Sequence, residues 1–214
     1  MSRRLLAVAV LLAIVGVAPV QAQITIGTET NSNVFPFGST GGDRYQQVYA
    51  AGNFASLFSI TSISFFGNSV LNASYALSFS TTSALVGGLS SDFAANVGAD
   101  NALFGNFALG GATGGTLTFS GTPFEYDPTQ GNLLLDISIT NRSGGTGSGF
   151  AATSTAPTTD FSRMHNFGSG FAGYGLVTEF NGGPVQSVPE PASALLLATG
   201  LLGMGLRKRR VKLS

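Results

Sequence analysis

Two acidic side chains stand close together in Pro123-Phe124-Glu125-Tyr126-Asp127-Pro128. Hydrolysis of a glycosidic bond needs two carboxyl groups about 5 to 9 Å apart, one to protonate the leaving oxygen and one to act as base or nucleophile. On a strand, Glu125 and Asp127 point to the same face, which is the first requirement of such a site. The same residues also read as a proline-bracketed turn leading into the apolar run at Leu133. A carboxylate pair can also help bind calcium, but calcium wants several oxygen ligands. Neither an EF-hand loop nor a Gly-Gly-x-Gly-x-Asp repeat accompanies the pair. His165 is the single histidine. A Ser-His-Asp arrangement can be drawn around it, but serines and aspartates are so plentiful that the drawing carries no weight. The chain has no Gly-x-Ser-x-Gly elbow, no second histidine for a catalytic zinc site and no lysine behind its glycines to make a phosphate loop. It has no cysteine, which excludes disulfides and thiolate metal sites. No catalytic residue, metal ligand or cofactor is assigned, and the expectation is a protein that is not an enzyme.

A different chemistry is suggested by Arg44-Tyr45-Gln46-Gln47-Val48-Tyr49, which follows Phe35-Pro36-Phe37-Gly38. Aromatic rings stack on sugar rings, while amides and a guanidinium hydrogen-bond sugar hydroxyls. Arg44, Tyr45 and Tyr49 are therefore candidate glycan contacts. The segment reads equally as a strand whose tyrosines pack inward and whose arginine pairs with an acid.

The elements that must position these residues are strands. Only 9% of residues are charged, against roughly 25% in ordinary soluble proteins. Thirty glycines, with many Ser, Thr and Asn, fill the polar share. This composition suits a turn-rich extracellular β-protein better than a cytoplasmic enzyme. Alternating apolar residues mark strands at 24–29, 45–50, 60–66, 74–80, 103–109, 116–120, 133–140 and 174–180. Glycine-rich pairs such as Gly67-Asn68, Gly87-Gly88, Gly110-Gly111 and Gly114-Gly115 read as the turns between them. Residues 143–149 read as a loop, and 92–101 as room for one short helix. The expected fold is all-β: an antiparallel β-sandwich of jelly-roll type over 23–180, followed by a linker over 181–188. Between Gln23 and Val188 there are three basic and nine acidic residues, a net charge of 3 − 9 = −6. A nucleic-acid binder needs the opposite sign, so nucleic acid is not an expected partner.

The remaining seven basic residues lie in the two ends. Arg3 and Arg4 precede an apolar run from Leu5 to Val17, Pro19 breaks it, and Val20-Gln21-Ala22 follows. That order is a signal peptide over 1–22, a helix cut by signal peptidase after Ala22. At the other end, Val188-Pro189-Glu190-Pro191 is followed by an apolar segment to Leu206 and then by Arg207-Lys208-Arg209-Arg210. The prolines keep the motif extended and open to a processing enzyme. An apolar helix of about 15 residues spans only about 22 Å, short for a hydrocarbon core of about 30 Å. Snorkelling arginines and local thinning accommodate the difference. The basic stop stays cytoplasmic by the positive-inside rule, which puts the domain outside and the tail, ending at 211–214, inside.

This three-part end, residues 189–210, resembles the PEP-CTERM sorting signal. The resemblance covers only about the last 25 residues, so it speaks for sorting and not for the domain. It implies processing by the membrane protease-transpeptidase exosortase in a Gram-negative bacterium that makes exopolysaccharide. A membrane-anchored intermediate would then give way to a protein at the cell surface or in the extracellular matrix. The Arg44–Tyr49 segment is similar, more loosely, to segments in other proteins of that group. The expected role is a non-catalytic surface or exopolysaccharide-matrix protein. The alternatives are a carbohydrate-binding module and a glycan hydrolase using Glu125 and Asp127.

Overall fold

A computed structural model describes residues 21–144, 147–154, 159–166, 168–172 and 174–185. The strands are β1 (Ala22–Ile26), β2 (Asn31–Asn33), β3 (Arg44–Tyr49), β4 (Phe58–Thr82), β5 (Ala102–Tyr126), β6 (Asn132–Thr140), β7 (Phe150–Thr153), β8 (Phe161–His165), β9 (Gly168–Ala172), β10 (Gly175–Leu176) and β11 (Thr178–Pro184). Every pairing is antiparallel. Two short 3-10 turns, Ala51–Asn53 and Phe93–Asn96, complete the described elements. The second falls inside the stretch expected to hold a short helix, and the Asp92 carboxylate caps it by accepting from Ala94 N at 3.1 Å.

The strands form one continuous sheet that is nearly closed and barrel-like, with the order β1-β11-β4-β6-β3-β8-β9. The expected arrangement was two separate sheets of jelly-roll type. The difference lies in β4 and β5, each 25 residues long. Alternating runs 60–66 and 74–80 are one strand, as are 103–109 and 116–120. The glycines between them are bends in paired strands, with Gly67 opposite Gly115 and register shifts on either side of Val70. Glycine is required at 67 because a Cβ there would lie 2.6 Å from the Phe150 ring. A local pattern cannot distinguish that close approach from a turn.

The first half of β4 pairs with β11 and the second half with β6. Ile63 and Phe65 from one half, and Leu77 and Phe79 from the other, enter the same buried cluster. Phe37 sits within 5.6 Å, ring centre to ring centre, of Phe65, Tyr75, Phe119 and Phe150. With no cysteine to staple the chain, this aromatic core carries the fold. The two halves of β5 converge at Gly121, where a Cβ would lie 2.2 Å from the carbonyl oxygen of Phe104. A second, smaller cluster of Val48, Leu89, Leu134 and Met164 lies on the other face of β3, under the segment 83–101.

The expected linker begins later than 181, since β11 runs on to Pro184. Residues 1–20 of the expected signal peptide (1–22) and the expected membrane helix, 192–206, lie outside the described residues, while Gln21 and Ala22 are described and Ala22 opens β1. Among the described residues no helix is long and apolar enough to cross a membrane.

Candidate functional site

Strand β3 carries the residues singled out for glycan contact, and its place in the sheet decides what they do. It lies between β6 and β8, so its side chains alternate between the main core and the smaller cluster. Tyr45, Gln47 and Tyr49 face the main core; Arg44, Gln46 and Val48 face the other way.

The inward tyrosines are 1% and 0% exposed. Tyr49 meets Phe180 edge-on at 4.9 Å, and its hydroxyl lies 2.8 Å from the Thr178 hydroxyl. Burial raises both phenols, Tyr45 to about 12 and Tyr49 well above its ordinary value. Neither ring offers a face to a sugar. The glycan-contact expectation for Tyr45 and Tyr49 is therefore corrected: a central strand in a nearly closed sheet turns alternate side chains into the core.

Gln47, between them, was not singled out in the sequence. Its Oε1 accepts from Leu176 N at 2.9 Å, and its Nε2 donates to Leu176 O at 2.9 Å. The side-chain amide thus binds both backbone groups of one residue of β10, as a neighbouring strand would. Tyr45 Oη also donates to Gln47 Oε1. On the opposite face, Gln46 Oε1 accepts from Asn96 Nδ2 at 2.8 Å and Gln46 Nε2 donates to Phe93 O at 3.0 Å. Consecutive amides therefore fasten different elements to the two faces of one strand. The signal available in the sequence was the Gln-Gln pair itself, two strong hydrogen-bonding groups where a central strand is otherwise apolar.

Arg44 pairs with Asp136 on β6. Its Nε donates to Oδ1 at 2.8 Å, and its Nη2 contacts Oδ2 in a second parallel bond. The hydrogen bond to Asp136 raises the arginine above its ordinary value, against the opposing effect of burial. The guanidinium also lies 5.8 Å from the Phe93 ring centre.

Two further charged or titratable groups lie on β8. Arg163 is 6% exposed and packs over Tyr174 at 4.0 Å. Its Nε and Nη1 have no hydrogen-bond partner among the described residues, and burial lowers its affinity for a proton. The His165 ring stacks on Phe35 at 4.5 Å and 13°. Burial, followed by the charge of Arg163, lowers its pKa.

The paired acids are not held facing each other. Glu125 is an exposed residue of β5 opposite Ser59, whereas Asp127 lies past the end of that strand. The Asp127 carboxylate closes a turn, accepting from Thr129 N at 3.0 Å and Thr129 Oγ1 at 2.7 Å, bonds that hold it below the usual carboxylate range. Two surface grooves are lined wholly by described residues. One of about 310 Å³ is lined by Ser91, Phe93, Met164, His165 and Asn166. The other, of about 400 Å³, lies along residues 72–74, 108–110, Asn141 and Ser143. Neither lining contains a carboxylate. Among the described residues no group of three or more His, Cys, Asp or Glu is placed to hold a metal.

The outer face of the sheet has a regular composition. The pairings align Thr25, Glu179, Ser64 and Thr118 in one row across β1, β11, β4 and β5, and Gln23, Asn181, Ser62 and Ser120 in the next. Ser64 Oγ and Thr118 Oγ1 lie 2.9 Å apart, and Asn181 Nδ2 donates to Glu179 Oε1 at 3.1 Å. Ser64 is buried, and the other residues of these rows place hydroxyls and amides at strand spacing with a single carboxylate and no cation.

Ala22, the expected last residue of the signal peptide, is the first residue of β1 and pairs with Gly182 of β11. Val188, Pro189, Glu190, Pro191 and the basic stop Arg207, Lys208, Arg209 and Arg210 lie outside the described residues. Residues 187–210 match a family model described as the PEP-CTERM protein-sorting motif. No curated protein and no solved structure matches the chain.

Proposed function

We propose that the chain, which carries the PEP-CTERM protein-sorting motif over residues 187–210, is exported and processed by exosortase through a membrane-anchored intermediate, and that its mature β-domain is a non-catalytic component of the cell surface or exopolysaccharide matrix. The observation that carries this reading is the polar outer face, where exposed Gln23, Thr25, Thr118 and Ser120 and half-buried Ser62 and Asn181 present hydroxyls and amides beside the single carboxylate of Glu179. Many weak hydrogen bonds from such a face suit a hydrated, hydroxyl-rich polymer. The groups suited to chemistry serve the fold instead: Arg44 with Asp136, Asp127 in its turn, and His165 against Phe35. Signal peptidase cuts after Ala22, and exosortase acts at Val188-Pro189-Glu190-Pro191.

The test is sedimentation of the mature protein with exopolysaccharide purified from its own host. Binding that weakens when Thr118 and Ser120 are both replaced by Glu supports the reading. Equal sedimentation with and without polysaccharide contradicts it.

A further inference from the structure

The final described strand is not an edge. β11 lies between β1 and β4, so β1 joins the sheet only through β11, which itself pairs with β4 as far as Pro184. Beyond it, Val185 N still donates to Leu57 O at 3.4 Å. The sorting match begins at residue 187. Four Cα steps from Val185 to Pro189 reach at most about 14 Å. A domain of about 165 residues has a radius of gyration near 15 Å, roughly. The tether between the last fixed residue and the motif is thus no longer than the domain's own radius.

We propose that exosortase docks against the end of the folded domain where β11 leaves it, a surface made by Ala55, Ser56, Leu57, Gly183 and Pro184. The inference rests on the reading that exosortase cuts this chain. A protease cleft must hold residues on both sides of the bond it breaks, which takes up most of the three residues between Val185 and Pro189. Contact with the domain follows from the length of the tether. The surface suits that contact: Ala55 and Ser56 are exposed, and none of the five residues is charged. The chain end is held close, since a Cβ on neighbouring Gly182 would lie 1.8 Å from Ser59 O. Topology also orders the two cuts. Among the described strands β1 pairs only with β11, so Ala22 is accessible to signal peptidase before β11 is exported, and exosortase meets the folded domain.

The test follows the full chain in its native host by intact mass over time, with and without exosortase. Replacing Ser56 by Glu, and separately by Lys, should slow removal of the tail about tenfold in either case, while the protease resistance of the domain is unchanged. Val34→Glu, an exposed change at the opposite end, should be cut at the normal rate. Inserting ten Gly and Ser residues after Val185 should restore normal cutting to Ser56→Glu, because the longer tether removes the forced contact. Normal cutting of both Ser56 variants overturns the proposal. A slow Glu variant with a fast Lys variant also overturns it, and shows the end resting on anionic lipid instead. Cutting of the unaltered chain without exosortase removes the sorting reading itself, and the docking surface with it.

Discussion

Replacing Gln47 by Leu keeps the volume of the side chain and removes its amide. Two groups then lose their partner, Leu176 N and the Tyr45 hydroxyl, while Leu176 O gives up one of two bonds and keeps the Thr178 hydroxyl at 3.0 Å. Gln47, Leu176 and Tyr45 are each no more than 1% exposed, so water does not replace what is lost. An unsatisfied buried polar group costs about 1 to 3 kcal/mol. The two together, less the favourable burial of an apolar side chain, give a loss of about 2 kcal/mol. With a urea dependence of about 2 kcal/mol per molar for a domain of this size, the unfolding midpoint falls by about 1 M. The assay is urea unfolding of the mature protein followed by tyrosine fluorescence. A midpoint shift under about 0.5 M, with unchanged slope, refutes the reasoning, because it would mean that Gln47 does not bind β10 in the folded protein.

Gln46→Ala removes the amide that holds Asn96 and Phe93; amide hydrogen exchange should accelerate across 83–101 while the β3–β6 ladder stays protected. Gly121→Ala forces apart the converging halves of β5, where a Cβ meets Phe104 O at 2.2 Å, and should lower stability by about 1 to 3 kcal/mol in the same urea assay. His165 has its pKa lowered by burial in the folded protein, so the unfolded chain binds more protons as pH drops below about 6.5. Its contribution to stability is present above that pH and lost as pH falls toward the folded value. Comparing urea midpoints at pH 7.5 and 5.5, His165→Gln should show a smaller drop than the unaltered protein.

Much of the architecture was legible. Alternation in Ile60–Phe66 and Tyr75–Ser80, and the apolar run that opens Leu133–Ile139, mark real strands, and their apolar residues supply much of the core. The continuity of β4 and β5 was not legible, because glycine in a strand and glycine in a turn look alike along the chain. Gly67 differs only through Phe150, eighty-three positions away and packed on it. The candidate site failed for a related reason. Tyr45 and Tyr49 alternate as half-buried strand residues do, but which face is inward depends on β11 and β10 lying beneath them. Asp127 shows the opposite case: the Asp-Pro-Thr spacing already contained the turn that occupies its carboxylate. Sorting was the most legible property, because a motif, an apolar segment and a basic stop need no tertiary partner to be recognised.

The most direct test of the account is the intact mass of the native protein recovered from the cell surface and medium, with and without the host's exosortase. The account predicts a species that begins near Gln23 and ends near Pro189-Glu190-Pro191, and that disappears when exosortase is deleted. A full-length C-terminus in both strains would contradict it and make the tail a plain membrane anchor.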